Sequence, residues 1–492
     1  MSDRQQQQQQ RRTQSGQAPD NAQTMRASSG RPQQQEQQQQ QQDPQLTDEV
    51  LAFITSVEEQ DTDQMKSLAT KLMQLSEPQY QSATTGNLDP LTVLDPAENS
   101  LGFLFFLTAR CAAVTDADVA QFLVQAVDHF VRVFKPAQLM YAPARITHIA
   151  HALENLSKVL RNPVIPIVPL MIAIERLTPE KNTLTSLHAP LAKASVLAKM
   201  YHQPLEVLDY DIENVNPTDY DISIKSFLLY HYYSAMIYIG NKSFERAIEF
   251  LVLVISAPAQ VISAIQVEAY KKYILTSLIH YGRVPPLPRY TSVILEKHFK
   301  SKYPVYTEIA DAFQNGLPQL RTAVDTHREA LTEDSHMGLA KQCIEALRRK
   351  TIRRLGDVYV TLTMGEMMTL LAEKEKRDVD ERELECMLVA MIENGQISAS
   401  ISCILNDAGQ VIKMVHFVEE EDSGIPVNFE SRITDATNLR KKVSTMDKAE
   451  GLSKEFQSKY MMISSHGEHF PVPMAYDEDM DLPLVDDSKL FS

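Results

Sequence analysis

Apolar residues recur at helical spacing along most of this chain. From residue 46 to about residue 335, helix-like runs of roughly 12–18 residues alternate with short breaks at Pro, Gly or Asn. Residues 119–134 are typical, because these apolar side chains fall on one face of a helix: Phe122, Leu123, Ala126, Val127, Phe130 and Val131. The repetition predicts an array of paired helices over residues 46–335.

Residues 238–250 make this prediction more specific. Gly240, Asn241, Phe244, Ala247 and Phe250 follow the spacing G-N-x-x-F-x-x-A-I-x-F, which is typical of a tetratricopeptide-like helical hairpin. The small Ala247 lets a neighbouring helix approach closely, and the two phenylalanines fill the groove between the helices. We therefore expect a solenoid of stacked helix pairs, which offers extended surface and no enclosed catalytic cleft.

The pattern changes after residue 335. It predicts a helix over 337–355, a short strand over 359–362, a helix begun by a Thr363–Glu366 capping box, and a helix over 378–393. Two strand-like runs follow, at 396–401 and 411–415, around a turn at 406–409. This order of elements predicts a winged helix within residues 336–420.

The two ends of the chain differ from the rest. Residues 1–45 contain 19 Gln and almost no large apolar residue, which predicts a disordered tail, either a tolerated expansion or a partner-binding segment. Residues 463–492 predict a disordered acidic tail. Between the winged helix and that tail, residues 430–462 predict a last helix, with Gly451 as a kink and this apolar stripe: Ile433, Ala436, Leu439, Val443, Met446 and Phe456.

Composition supports a mainly α protein and limits its partners. Only 15 of 492 residues are Gly, and 48 Lys plus Arg against 64 Asp plus Glu give a net charge of −16. This acidic balance opposes general binding to nucleic acid or to anionic membranes. The longest uncharged stretch, 250–267, contains Pro258 and does not predict a membrane span, and no secretory signal is evident. Four cysteines without C-x-x-C spacing are typical of reduced thiols in a cytosolic or nuclear protein.

No motif for catalysis, cofactor binding or metal binding stands out. His148, His151 and Glu154 share a helix, but its apolar neighbours indicate an ordinary amphipathic helix with solvated or hydrogen-bonded histidines. Cys343 and Cys386 lie among apolar helical residues, which indicates buried, inert thiols. We therefore predict no catalytic residue, no cofactor, no metal and no small-molecule substrate, and a protein that is not an enzyme.

Nucleic-acid binding is the alternative that a winged helix raises. The basic run 348–354 could bind nucleic acid, but its interleaved Ile352 and Leu355 favour a helix with a charged outer face. The helix that would enter a DNA groove, 378–393, carries six acidic residues against Arg382. Those carboxylates would face a polyanion, so we do not expect DNA to be read here.

What remains is apolar surface without a cover in its own chain. The hairpin of the winged helix has a strand edge that can pair with a neighbouring protein, and the last helix has a coiled-coil-like seam. These features predict a scaffold within a larger assembly. The predicted interface residues are Ile397, Ala399, Ile401, Val411, Ile412, Met414, Ile433, Leu439, Val443, Met446 and Phe456.

The order of modules resembles the PCI proteins, which are the helical-repeat and winged-helix subunits of the proteasome lid, the COP-9 signalosome and a translation initiation factor. Within that group, the chain resembles the signalosome's third-subunit family over these segments: 230–233, 236–240, 244–247, 268–275, 287–292, 337–343 and 391–397. The resemblance covers residues 220–420, and neither tail belongs to it.

The resemblance implies a non-catalytic subunit of the assembly that removes a ubiquitin-like modifier from cullins and so regulates cullin-RING ubiquitin ligases. It also implies subunits one and eight as neighbours, an open ring of winged helices, a bundle of C-terminal helices, and a location in cytoplasm and nucleus. In that family the isopeptidase carries an H-x-H…S-x-x-D zinc motif, which is absent here. The paralogous lid subunit of the proteasome is the nearest alternative.

Overall fold

The computed structural model of the protein describes residues 45–461, with gaps at 58–60, 87, 179, 259–261, 377–379, 406–410, 419–428, 455 and 459–460. The described chain divides into two compact units at Phe417. Apart from Gln45, the predicted tails 1–45 and 463–492 lie outside the described residues, as does the predicted turn at 406–409.

Helices make up most of the first unit, which confirms the mainly α fold. The first ten are α1 (45–56), α2 (Thr62–Gln74), α3 (Glu77–Gln81), α4 (Pro90–Val93), α5 (Ser100–Ala113), α6 (Ala117–Val133), α7 (Pro136–Leu139), α8 (Pro143–Val159), α9 (Ile167–Leu177) and α10 (His188–Ala198). The next ten are α11 (Leu205–Leu208), α12 (Pro217–Tyr220), α13 (Ile224–Gly240), α14 (Phe244–Ser256), α15 (Ala264–Tyr281), α16 (Val293–Lys302), α17 (Pro304–Asn315), α18 (Leu317–Thr326), α19 (Arg328–Glu333) and α20 (Met337–Gly356).

The winged helix and the last helix follow. Their elements are β1 (Thr361–Thr363), α21 (Met364–Glu375), α22 (Glu381–Glu393), β2 (Ala399–Leu405), β3 (Val411–Phe417) and, in the second unit, α23 (Phe429–Gly451). The three strands form an antiparallel sheet in the order β1-β3-β2.

The first unit contains three hydrophobic cores in chain order, and two helices are each shared between adjacent cores. The first core runs from Leu51 to Leu191 and is centred on α5, which is apolar on all sides and almost wholly buried. Helix α10 contributes Leu191 to the first core and Ala192 to the second. In the same way, α20 contributes Leu347 to the second core and Ile352 to the third.

The predicted helical hairpin is present as α13 and α14, which pack against each other and against α10 and α15. A Cβ on Gly240 would lie 2.8 Å from the ring of Tyr201, so only glycine allows this close approach at the end of α13. Next to it, the Asn241 amide donates to the Tyr201 carbonyl over 2.8 Å. Ala247 is completely buried, as expected for a small residue between close helices.

A buried polar network links α13, α15, α17 and the start of α20. The ammonium of Lys272 lies 2.8 Å from both the Tyr232 hydroxyl and Nε2 of His336. Nδ1 of His336 lies 2.7 Å from the Tyr306 hydroxyl, which donates to Asp334 over 2.5 Å. Because the tyrosine proton is used on Asp334, Nδ1 of His336 donates to the tyrosine oxygen; because the Lys272 ammonium donates to Nε2, the imidazole is neutral. Burial lowers the pKa of Lys272 to about 8 and that of His336 to about 3.

The winged helix has the predicted order of elements, with shifted strand bounds. Thr363 and Glu366 form the predicted capping box at the start of α21. The strand predicted at 359–362 is observed at Thr361–Thr363, and the one predicted at 396–401 is observed at Ala399–Leu405. The shift arises because Ile397 packs into the third core before the ladder with β3 begins.

On the helix that carries the basic run 348–354, Ile352 and Leu355 are buried and Arg353 and Arg354 are exposed, as predicted. Arg348, in contrast, departs from the predicted charged outer face. The guanidinium of Arg348 is buried and lies 2.6 Å from Glu375 and 2.5 Å from Glu383. Glu375, itself buried, also pairs with Arg321 on α18 at 3.0 Å. Arg353 donates to the carbonyl of Gln396. Arg348 therefore faces inward, where its charge joins the helical array to the winged helix.

One further sequence prediction is wrong in detail. Phe122 is 56% exposed, because α6 packs through the face that carries Leu123, Val127 and Phe130. The last helix is interrupted next to Gly451, where the sequence predicts a kink: α23 ends at Gly451, and helical residues resume at 454. Phe456 lies beyond that interruption.

We expect Arg348→Ala to lower the free energy of unfolding by about 3 kcal/mol, because it leaves the buried Glu375 and the Glu383 carboxylate short of a partner. The matched control is Arg349→Ala, which removes an exposed pair with Glu345 and should cost less than about 1 kcal/mol. Urea denaturation followed by circular dichroism compares them. Equal losses in the two variants would contradict the structural role of Arg348.

Lys272 gives a pH dependence with a definite sign. Its pKa is 10.5 in the unfolded chain and about 8 in the folded one, so the unfolded state holds more protons between these values. The contribution of Lys272 to the free energy of unfolding therefore rises with pH. Relative to Lys272→Met, the wild-type free energy of unfolding should increase by about 1 kcal/mol for each pH unit from pH 8 to 10. The difference should be constant from pH 6 to 7, and a fall above pH 8 would refute the assignment.

Candidate protein-interaction surfaces

The predicted hairpin residues divide into core and surface positions. Ile397 is buried in the third core, and Ala399 and Ile401 pack against that core. Ile412 and Met414 are half-buried. The side chain of Val411 lies outside the described part of the structure. The side chains of Ile397, Ala399 and Ile401 thus hold the winged helix together. On β2, Ala399 and Ile401 could contact a partner protein only through their backbone N–H and C=O groups.

Strand β2 has an edge that no described strand covers. β3 lies between β1 and β2. On β3, the Phe417 N–H donates to the carbonyl of Val360, which precedes β1. Every second residue of a strand directs its N–H and C=O to the same side, so the backbone groups of Val415 also point toward β1 and away from β2. Ile401 lies opposite Val415, so its own N–H and C=O point away from β3, to the free edge of β2. Such an edge can accept a strand from another protein.

A second surface lies beside β1, and sequence reasoning missed it. Val358 and Val360 are 73% and 70% exposed, and Tyr359 between them is half-exposed. The alternation of apolar residues at 358–362 indicates a strand, but the ladder with β3 begins only at Thr361. The signal was therefore present in the sequence, although it does not say which residues stay uncovered.

The last helix carries its apolar stripe as predicted. Ile433, Leu439, Val443 and Met446 on α23 are all between 48% and 65% exposed, and Phe456 is 42% exposed. Exposed apolar side chains in a row at helical spacing are typical of a helix that packs in an assembly. The role of these residues stays a prediction.

The acidic helix of the winged helix is partly neutralised within its own domain. On α22, Glu383 pairs with Arg348, while Glu381 and Glu385 lie 3.3 Å and 2.7 Å from the Lys413 ammonium. Because Lys413 lies on β3, these pairs fix the helix over the sheet rather than present carboxylates to a ligand.

The histidine and cysteine candidates have other partners or are buried. The Glu154 carboxylate pairs with Lys193 at 2.9 Å, and the rings of His148 and His151 lie edge to face at 6.2 Å. Burial raises the pKa of the Cys343 thiol, as expected for an inert residue. Cys386, in contrast, is exposed, so its predicted burial is wrong: it lies outside the buried face of α22.

Among the described residues, no group of three or more His, Cys, Asp or Glu is placed to hold a metal ion. Nor does any described helix combine the length and apolar character needed to cross a bilayer.

Comparison with known proteins gives two consecutive family matches. Residues 59–295 match the family model for the N-terminal helical repeats of COP9 signalosome complex subunit 3. Residues 324–404 match the PCI domain model. The matches follow the order of the helical array and the winged helix along the chain.

Two relatives extend the likeness over most of the chain. A Dictyostelium discoideum protein named COP9 signalosome complex subunit 3 is 30% identical over 376 residues, covering 75% of this chain and 86% of the relative. An Arabidopsis thaliana protein of the same name is 30% identical over 338 residues, covering 68% and 75%. By these matches, the chain belongs to the COP9 signalosome complex subunit 3 family.

Proposed function

We propose that this protein is a scaffold subunit of a COP9 signalosome. The observation that carries the proposal is the pair of consecutive family matches, which span the helical array and the winged helix together. The structure adds physical support, because the free β2 edge and the exposed stripe of α23 are surfaces that other subunits can cover.

The proposal assigns no catalytic step to this chain. Two observations on the candidate residues support this absence of a catalytic role. The Glu154 carboxylate pairs with Lys158 and Lys193, and burial raises the pKa of the Cys111 and Cys343 thiols. A thiol that resists ionisation is a poor nucleophile. We assign removal of the ubiquitin-like modifier from cullins to another subunit of the assembly.

The finer assignments rest on the likeness to PCI proteins. We propose subunits one and eight as direct neighbours. The hairpin of the winged helix would form one junction with a neighbouring subunit, and α23 would enter the bundle of C-terminal helices. Cullin-RING ligases are then indirect partners, and the complex acts in both cytoplasm and nucleus. The acidic net charge of −16 supports protein partners over nucleic acid.

Purification of a tagged full-length chain from its native cells tests the proposal. We expect a stoichiometric complex that contains the other signalosome subunits and releases the modifier from a cullin conjugate, whereas the chain alone does not. Recovery of the proteasome with its peptidases would assign the chain to the lid instead. A complex with neither set of subunits would refute the scaffold role.

The stripe of α23 can be tested in the same purification. Val443→Asp with Met446→Asp should release most of the chain from the complex, because two charges buried in an apolar seam cost about 2 kcal/mol or more each. Asn438→Asp with Thr445→Asp adds the same charge off the stripe and should leave assembly intact. Circular dichroism checks that both variants keep the helical array. If the first variant still recovers every subunit, the stripe is not an anchor.

A further inference from the structure

A groove between α9 and α11 lies within the N-terminal helical array, away from the winged helix in sequence. Its cavity has a volume of about 270 Å³. Pockets for cofactors and small ligands usually hold roughly 300–1,000 Å³ and enclose most of the ligand. This groove is smaller and open to solvent on one side, so its dimensions suit a few side chains of a macromolecule better than a whole small molecule.

Each wall of the groove is one face of a helical segment. On α9, Val168, Met171 and Ile172 lie at positions i, i+3 and i+4, and all three line the cavity. The other wall is formed by Val207 on α11 and by Tyr210, two residues after the end of that helix. Val168 is 40% exposed and Tyr210 is 42% exposed. The apolar wall on α9 and the wall formed by Val207 and Tyr210 are therefore each about one helical turn long.

The charges at the groove are mainly negative. Glu175 follows the apolar positions on α9, and Glu206 lies on α11; both line the groove and both are exposed. Lys181 also lines it, but its ammonium lies 3.1 Å from the Tyr210 hydroxyl and 4.8 Å from the centre of the Tyr210 ring. The lysine is thus directed toward the tyrosine, while each wall presents a carboxylate to the solvent side.

We propose that this groove binds an amphipathic helix of a partner protein, whose apolar ridge is flanked by Lys or Arg. The apolar residues at i, i+3 and i+4 of such a helix fit between two walls of this length. The flanking cations would meet Glu175 and Glu206, which sets the sign of charge that the groove selects.

Charge also argues against the chain's own segment 463–492 as the occupant, because that segment is acidic and the groove presents Glu175 and Glu206. Like charges brought together at an interface oppose binding. The site is separate from β2 and α23 in the sequence, so the inference does not rest on the proposed role in the signalosome.

Two matched probe peptides test the proposal with the full-length chain. Both are labelled amphipathic helices with Leu at i, i+3, i+4 and i+7, one flanked by Lys and the other by Glu at the same positions. Fluorescence polarisation at low salt should show the Lys peptide binding about fivefold or more tighter than the Glu peptide. The preference should diminish at high salt because exposed charges are screened.

Variants locate the binding in the groove. Glu175→Lys with Glu206→Lys should abolish or reverse the charge preference, whereas Glu329→Lys with Glu333→Lys, on the exposed surface of α19, makes the same change in net charge and should preserve it. Val168→Asp should weaken both peptides, because it places a charge on the apolar wall. Circular dichroism confirms that each variant is folded.

Several results would overturn the inference. It fails if neither peptide binds up to its solubility limit, or if both bind equally well. It also fails if the preference survives in the Glu175→Lys, Glu206→Lys variant, or if the control pair on α19 removes it to the same extent, since the binding would then follow net charge rather than the groove.

Discussion

The guanidinium of Arg348 is the constraint on which the first unit depends. It is buried and held by carboxylates from α21 and α22, while Glu375 also binds Arg321 on α18. A buried charge of this kind tolerates few arrangements, because losing one partner leaves the other uncompensated. The network therefore fixes the winged helix relative to the helical array. Because α20 also contributes to both neighbouring cores, the repeats and the sheet belong to one compact unit.

Local patterns in the sequence were sufficient for most of the fold. Helical spacing, the hairpin at Gly240 and the capping box at Thr363 depend on residues within one or two turns of each other, so a single sequence can reveal them. The burial of Arg348 depends on Glu375 and Arg321, each 27 residues away. No local rule distinguishes that arginine from a solvated one, which is why the sequence predicts Arg348 on the charged outer face.

The same limit applies to the candidate surfaces. The stripe of α23 is visible in the sequence because it is the only apolar side of an otherwise polar helix. Phe122 is harder to place from the sequence, since α6 is apolar on its buried side as well, and periodicity alone does not say how far the core extends around a helix. The groove needs two walls that are about 40 residues apart, and only the packing of α9 and α11 brings them together.

The four cysteines divide the molecule in a way that is useful for spectroscopy. Cys111 and Cys343 are buried in the helical array, whereas Cys386 and Cys403 are exposed on the winged helix. Burial raises the pKa of the first two thiols, so maleimide reagents at neutral pH react with the wild-type protein at the winged helix alone. Fluorophores or spin labels can thus be attached to this one subdomain without removing a native cysteine, and their signals would report its docking to other subunits.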